Sequence, residues 1–211
     1  MHAVVGFSMG AQQAFQWAVS HPDVVGRIVA TAGTAKTHSH GWVRLEGQLV
    51  ALRADPAFAG GDYTAPPVAG LRAYGRVWAG WLYSQDWWRQ ELWRSSASSV
   101  EEVLEQLEGH FADLDANDQV AQVRTWQHHD VGAQVGLEAA LGAIRCPVLY
   151  LPGATDLYFP VTDAEHEARF IPDVDLRPIP SLWGHPAGAG ASPEDARFLN
   201  DAIGAFLLAA D

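Results

Sequence analysis

A serine flanked by glycines stands near the start of the chain, in the segment GFSMG of residues 6–10, which matches the pattern G-x-S-x-G. The apolar run before it predicts a buried strand, and the helical spacing after it predicts a helix that ends before Pro22. A serine at such a strand-to-helix turn has a strained backbone and an exposed Oγ. We therefore predict Ser8 as a nucleophile, with the backbone N–H of Met9 as an oxyanion donor at the helix N-terminus.

A serine hydroxyl is a weak nucleophile at neutral pH, so a histidine must take its proton and an acid must fix the tautomer of that histidine. Asp156 follows the apolar run 147–153, and His185 follows a weaker strand candidate at 175–180. Both lie where open parallel sheets place their ligands, beyond the carboxyl ends of strands. We predict Asp156 as the orienting acid and His185 as the general base. The bland alternatives are a turn serine, a capping aspartate and an ordinary loop histidine. Competing acids, ranked below Asp156, are Asp163, Asp173 and Asp175.

The elements that would position these residues follow an alternating pattern at both ends of the chain. Strands are predicted at His2–Gly6, Arg27–Ala32, Pro147–Gly153 and Asp175–Pro180. Helices are predicted after Ser8, over 163–171 with Thr162 as N-cap and Glu165 three positions on, and after Ser192 with Pro193 at the first position. This alternation favours a mostly parallel sheet covered by helices on both faces, which places the chain in the α/β class.

Residues 34–145 break the alternation and carry helical patterns. We predict a single domain whose core comprises 1–33 and 146–211, with 34–145 as an inserted helical cap. Six tryptophans lie in the first half of this insertion: Trp42, Trp78, Trp81, Trp87, Trp88 and Trp93. They either fill the core of the insertion or line an apolar pocket over the sheet, where the exclusion of water would help acyl chemistry.

The composition excludes several classes of function. With 13 basic and 25 acidic side chains among 211 residues, the formal net charge is −12, which disfavours nucleic acid as a partner. No apolar stretch approaches the roughly 18 residues of a membrane span, and the N-terminus lacks the pattern of a signal peptide, so we expect a cytoplasmic protein without a membrane partner. Cys146 is expected to be a packed residue. The histidine pairs His38/His40 and His128/His129 lack a recognised ligand spacing, so we predict no metal site and no cofactor.

Four segments together make the chain resemble the homoserine O-acetyltransferase family of α/β-hydrolases. They are VGFSMG at 5–10, DAND at 115–118 with TWQHHD at 125–130, TDLYFP at 155–160, and GH at 184–185. The resemblance implies an α/β-hydrolase fold and a ping-pong reaction that moves an acyl group from a small-molecule donor such as acyl-CoA to a hydroxyl acceptor. It also implies the roles of Ser8, Asp156 and His185, and a homodimer.

Two departures from that family bear on function. The catalytic histidine is usually followed by an aspartate that helps to hold the amino-acid substrate, whereas Pro186 follows His185 here. Family members also have several strands and a glycine-containing oxyanion loop upstream of the serine, whereas this chain begins seven residues before Ser8. We therefore expect a partial fold, with Met1 an internal start or a partner segment required. Acyl transfer, ester hydrolysis and a non-catalytic remnant acting as an interaction module remain open.

Overall fold

The computed structural model describes residues 1–209, so the last two residues of the predicted core segment 146–211 lie outside the described part. Four strands form one parallel sheet in the order β1-β2-β3-β4. They are β1 (Val4–Phe7), β2 (Ile28–Thr31), β3 (Val148–Leu151) and β4 (Val174–Leu176). Because all four strands run in one direction, the loops that follow them leave the same edge of the sheet. The predicted parallel sheet is confirmed.

Nine α-helices occur among the described residues. They are α1 (Met9–Ser20), α2 (Ser39–Arg53), α3 (Val68–Leu82), α4 (Gln85–Arg89), α5 (Val100–Ala112), α6 (Ala116–Gln127), α7 (Leu137–Gly142), α8 (Val161–Ala168) and α9 (Pro193–Leu208). Three 3₁₀ helices lie at Pro56–Gly61, Leu92–Ser95 and His185–Ala189. No helix in residues 1–209 has the length and apolar character needed to cross a membrane.

The chain divides into two compact units. One contains the sheet and comprises residues 1–37 together with the chain from His129 onward, and the other, the helical unit, comprises His38–His128. The segments 34–37 and 129–145, which the sequence analysis assigned to the insertion, therefore group with the sheet. Short-range patterns do not reveal this boundary, because it depends on pairing between residues almost a hundred positions apart.

Both faces of the sheet are covered, as the α/β pattern predicts. On one face, buried residues of α1, α7 and α8 pack against β2 and β3, with Phe15 edge-on to Tyr150 at 5.1 Å between ring centroids. On the other face, Leu199 and Ala202 of α9 pack against Val29 and its β3 neighbours. These apolar contacts hold β2 and β3 in place, and β1 is held by its hydrogen-bonded pairing with β2.

The predicted caps differ in outcome. Ser192 does cap α9: its side chain accepts from the Asp195 N–H, and the Asp195 carboxylate accepts from the Ser192 N–H. The prediction of Thr162 as the N-cap of α8 is wrong, because the helix already begins at Val161 and Pro160 occupies the cap position. The Asp163 N–H donates to the Pro160 carbonyl, so the first helical turn starts earlier than the S/T-x-x-E spacing suggested.

Aromatic packing dominates the helical unit. Trp78 stacks on Phe111 at 5.6 Å between centroids, and Trp87 and Trp93 are buried. For these residues the structure agrees with the packing interpretation of the tryptophan-rich segment. Trp42 remains exposed. The apolar pocket over the sheet stays a prediction.

Candidate active site

Ser8 lies at a sharp turn between β1 and α1. Its backbone has φ 57° and ψ −121°, a region that residues other than glycine rarely occupy. The turn is held on both sides: the Ser8 N–H donates to the Thr31 carbonyl at 2.9 Å, and the Ser8 carbonyl accepts from the N–H groups of Ala11 and Gln12. The strained serine is thus fixed by the neighbouring strand and by the first turn of the helix.

Close packing against the backbone explains why glycine is required at one of the two glycine positions of the motif but not at the other. A Cβ on Gly6 would lie 2.0 Å from the Gly10 carbonyl oxygen, whereas a Cβ on Gly10 would meet nothing within 4 Å. Gly33, which follows the predicted strand Arg27–Ala32, is the second position with no room for a side chain. A Cβ there would lie 2.5 Å from the Ser8 carbonyl oxygen. Gly6 and Gly33 therefore let β1 and the loop after β2 approach the turn at Ser8.

The side chains of Ser8, His185 and Asp156 meet at the carboxyl edge of the sheet. Nε2 of His185 lies 2.9 Å from Ser8 Oγ, and Nδ1 of His185 lies 2.8 Å from Asp156 Oδ2. The histidine and the aspartate are each 4% exposed. A proton on Nδ1, donated to the carboxylate, leaves Nε2 free to accept the serine proton. This arrangement has the chemical capacity to raise the nucleophilicity of the serine.

Backbone donors fix the carboxylate of Asp156. Its Oδ1 accepts from the N–H of Tyr158 at 2.7 Å and from the N–H of Phe159 at 3.3 Å, which leaves Oδ2 directed to His185. The loop after β3 therefore holds the acid in a single orientation towards the imidazole.

The loop that carries His185 is tied to the loop that carries Asp156. Thr155 Oγ1 accepts from the Gly184 N–H at 3.2 Å and donates to the Ser181 carbonyl at 2.9 Å. No role for Thr155 follows from the sequence motifs, although this residue directly precedes the predicted acid. The signal that could have indicated this role is a threonine next to the predicted catalytic aspartate, since a threonine hydroxyl readily forms hydrogen bonds with nearby backbone groups.

Three aromatic rings surround the His185 imidazole. The distances between ring centroids are 4.9 Å to Phe7, 4.6 Å to Tyr158 and 5.6 Å to Phe159. All three lie within motifs found in the sequence, but their types alone did not predict that they converge on the histidine. Their convergence depends on β1 and the loop after β3 ending at the same edge of the sheet.

The other candidates lie elsewhere. Asp175 pairs with Arg177, with 2.8 Å between Arg177 Nε and Asp175 Oδ1, and Asp163 lies on α8. Cys146 is buried in the core beside the sheet, and burial raises the pKa of its thiol, which agrees with the expected packing role. Burial also lowers the pKa of His129 to about 4. No cluster of three or more His, Cys, Asp or Glu suited to a metal ion occurs in residues 1–209. The oxyanion role of the Met9 N–H, at the first position of α1, stays a prediction.

Comparison with known proteins gives a consistent picture. No family model matches the chain. The chain is 39% identical over 191 residues to a probable esterase of Corynebacterium glutamicum, a match that covers 88% of this chain and 55% of that protein. It is 35% identical over 205 residues to an ethyl acetate hydrolase of Pseudomonas veronii, covering 93% of this chain and 57% of that protein.

Homoserine O-acetyltransferases are also among the relatives. The enzyme of Trichormus variabilis is 31% identical over 200 residues, covering 89% of this chain and 54% of that protein. Among solved structures, the acetyl esterase MekB superposes with a TM-score of 0.96 at 31% identity, over 99% of this chain and 62% of that chain. The chain thus spans little more than half the length of the curated relatives that it matches.

Proposed function

We propose that this chain, a member of the α/β-hydrolase fold family by its sheet and its relatives, hydrolyses short acyl esters through an acyl intermediate on Ser8. One observation carries the proposal: the unbroken hydrogen-bonded path from Ser8 Oγ through the imidazole of His185 to the carboxylate of Asp156. The names of the relatives supply the substrate class, since they include an ethyl acetate hydrolase and an acetyl esterase. Acetyl esters of small alcohols are therefore the proposed substrates.

In the first half-reaction, Ser8 Oγ bonds to the carbonyl carbon of the ester while Nε2 of His185 takes the hydroxyl proton. The carbonyl electron pair moves to the oxygen, and the Met9 N–H at the N-terminus of α1 is the proposed donor to that oxyanion. The tetrahedral intermediate then collapses and the bond to the alcohol oxygen breaks. The imidazolium returns its proton to that oxygen, the alcohol leaves, and the acyl group remains on the serine.

In the second half-reaction, water takes the place of the alcohol. Nε2 of His185 accepts a proton from the water as its oxygen attacks the acyl carbon. The bond between that carbon and Ser8 Oγ breaks, Oγ regains a proton from the imidazolium, and the carboxylic acid leaves. Throughout, Asp156 stays ionised and keeps the proton-accepting nitrogen turned towards the serine.

Hydrolysis is favoured over transfer to a hydroxyl acceptor on two grounds. The two relatives with the higher identities are named as esterases or hydrolases, while the homoserine O-acetyltransferase is less similar. Pro186 also stands where the acetyltransferase family usually has an aspartate that helps to hold the amino-acid acceptor, and proline has no carboxylate. Transfer to a hydroxyl acceptor is the second candidate, carried by the acetyltransferase relatives.

The test uses the purified 211-residue chain with ethyl acetate, following acid release at constant pH. We expect hydrolysis by the wild type and a loss of at least about a thousandfold in Ser8→Ala, because the nucleophile is removed. Ser20→Ala is the matched control. Ser20 lies at the other end of α1 and accepts a hydrogen bond from Gln16 far from the site, so this variant should retain full activity.

A fluorophosphonate probe separates the remaining alternatives. Labelling that disappears in Ser8→Ala supports an activated serine independently of the ester chosen. Folded wild-type chain that neither labels nor hydrolyses ethyl acetate would show a non-catalytic remnant and end the proposal. A third arm supplies acetyl-CoA with homoserine or another alcohol. If the acetylated alcohol forms faster than free acetate, the activity of the chain is acyl transfer and the proposal of hydrolysis is wrong.

A further inference from the structure

Three aromatic rings pack around the imidazole of His185, in addition to its two hydrogen bonds. Both nitrogens are engaged in the plane of the ring, Nδ1 by Asp156 and Nε2 by Ser8. Phe7, Tyr158 and Phe159 are inclined to that plane by 31°, 42° and 34°. All three contacts are tilted rather than edge-on. We call these three rings the aromatic enclosure.

The electrostatic consequence of the enclosure depends on the charge of the imidazole. An aromatic ring carries a negative face, which attracts a nearby cation more strongly than it attracts a neutral ring. In the proposed reaction His185 is neutral at the start and cationic while it holds the serine proton. Burial to 4% exposure removes water that would otherwise solvate that cation. Ring faces close to the imidazole can supply part of the stabilisation that water would have given.

We infer that Phe7, Tyr158 and Phe159 are positioning residues that stabilise the imidazolium form of His185 through their ring faces, and so lower the barrier to acylation of Ser8. This inference rests on the proposed function for its catalytic consequence. Its physical content, a preference of the enclosure for the cationic ring, holds whether or not the chain cleaves esters. The two can therefore be tested separately.

Few other charges face the imidazole. Among the contacts to His185 within the described residues, the titratable groups are the Asp156 carboxylate, bonded to Nδ1, and the Tyr158 phenol, which belongs to the enclosure. Phe7 on β1 and Phe159 in the loop after β3 carry no titratable group. Replacing either phenylalanine by leucine therefore removes a ring face without changing any charge near the histidine.

The experiment compares Phe7→Leu with Phe7→Tyr in the full chain. Phe7 is 38% exposed, so leucine leaves the core of the sheet intact. Activity requires a neutral imidazole in the free enzyme, so kcat/KM rises with pH through the acidic limb of its profile. Loss of the ring face destabilises the imidazolium, and we expect the midpoint of that limb to move to lower pH by about half a unit. Phe7→Tyr keeps the ring and should keep the wild-type midpoint.

The direction in which the midpoint of the pH profile shifts distinguishes stabilisation of the imidazolium by the ring faces from mere exclusion of water. If Phe7 served only to exclude water, leucine would admit water, stabilise the cation and move the midpoint to higher pH. A shift upward, or no shift, overturns the inference. Phe159→Leu repeats the test if Phe7→Leu does not fold. Trp17→Leu is the matched control, since Trp17 is 42% exposed on the same unit but contacts His21, and it should leave the midpoint unchanged.

A readout without substrate keeps the inference independent of the proposed function. Proton NMR follows the Cε1–H resonance of His185 against pH in the unliganded chain, assigned by its loss in His185→Gln. We expect the midpoint of that titration to be at lower pH in Phe7→Leu and Phe159→Leu than in the wild type. In Phe7→Tyr and Trp17→Leu the midpoint should be unchanged. If ethyl acetate hydrolysis fails in the wild type, this measurement still decides whether the rings favour the cation.

Discussion

Gly6 and Gly10 flank Ser8 symmetrically in the sequence but have different surroundings in the structure. The space for a Cβ on Gly6 is occupied by the carbonyl of Gly10, whereas the space for one on Gly10 is open. Both glycines belong to the motif, but only Gly6 lies where a Cβ would meet the neighbouring backbone. Steric contacts require glycine at the first position, whereas a Cβ at the second position, in the first turn of α1, would meet open space.

This asymmetry predicts opposite results for two alanine variants. Gly6→Ala should displace the turn at Ser8 and lower both the melting temperature and the rate of fluorophosphonate labelling, the latter by at least about tenfold, because backbone must move by more than an ångström. Gly10→Ala should keep the wild-type labelling rate and match or exceed its melting temperature, since alanine favours a helix over glycine by up to about 1 kcal/mol. Circular dichroism measures the melting. Equal losses in both variants would contradict the steric argument.

At the scale of single residues, the sequence predicts those functional side chains that have distinctive chemistry and occur at a characteristic spacing. Ser8, Asp156 and His185 follow from a motif and from the ends of predicted strands, and the structure brings their side chains together. Thr155 and Gly33 do not follow, because their roles depend on backbone from other loops approaching within about 3 Å. Such contacts between distant segments leave no periodic trace in the sequence.

At the scale of elements, a short antiparallel pairing joins the segments 35–37 and 129–131. The Thr37 N–H donates to the His129 carbonyl at 2.9 Å, and the Val131 N–H donates to the Ala35 carbonyl at 3.2 Å. The Ala35 N–H also donates to the fully buried carboxylate of Glu167 at 2.8 Å. This pairing explains why both segments belong to the unit that contains the sheet.

His129 lies in this pairing and is partly buried, which predicts a loss of stability in acid. Burial lowers the pKa of His129 to about 4, and its Nε2 has no hydrogen-bond partner among the described residues. An unfolded histidine has a pKa near 6.5. Between these values the unfolded chain holds a proton that the folded chain lacks, so stability falls as pH falls. Between pH 7 and 4.5 we expect this residue to remove about 2 kcal/mol from the free energy of unfolding.

Urea denaturation at pH 7 and at pH 4.5 measures that contribution. His129→Gln cannot take the proton, so its loss of stability between the two pH values should be smaller than that of the wild type by about 2 kcal/mol. His128→Gln is the control: His128 is exposed, and its ring bonds the Arg124 carbonyl in the helical unit. An acid sensitivity of His129→Gln equal to that of the wild type would rule out this role of the His129 ring.

Elements with strong local signals were predicted well, and those that depend on tertiary contacts were not. The strand before Ser8, the helix after it and the capped helix α9 follow from periodicity and cap chemistry. The start of α8 was misplaced because Pro160 satisfies the first turn through its carbonyl, which a cap pattern based on side chains cannot reveal. The pairing of 35–37 with 129–131 has no local signal at all.

At the scale of the whole molecule, β1 lies at one edge of the sheet and pairs with β2 alone among the described strands. Two apolar side chains of β1 are accessible to solvent: Val5 is 51% exposed and Phe7 is 38% exposed. An edge strand with free N–H and C=O groups and apolar side chains readily pairs with another chain. Ser8 follows β1 directly, so whatever pairs at this edge lies beside the candidate active site.

This edge predicts self-association of the chain at high concentration, driven by pairing between β1 strands. Val5→Lys should raise the concentration at which light scattering detects oligomers. When two β1 edges pair, each lysine would have to lose its hydration shell, and the two positive charges would repel each other. The variant should keep fluorophosphonate labelling of Ser8, since Val5 has no part in the hydrogen-bonded path to His185. Val24→Lys introduces the same charge at a residue that is equally exposed but lies outside the sheet. If Val24→Lys suppressed association as strongly as Val5→Lys, the effect would come from net charge, and pairing through β1 would be excluded as its cause.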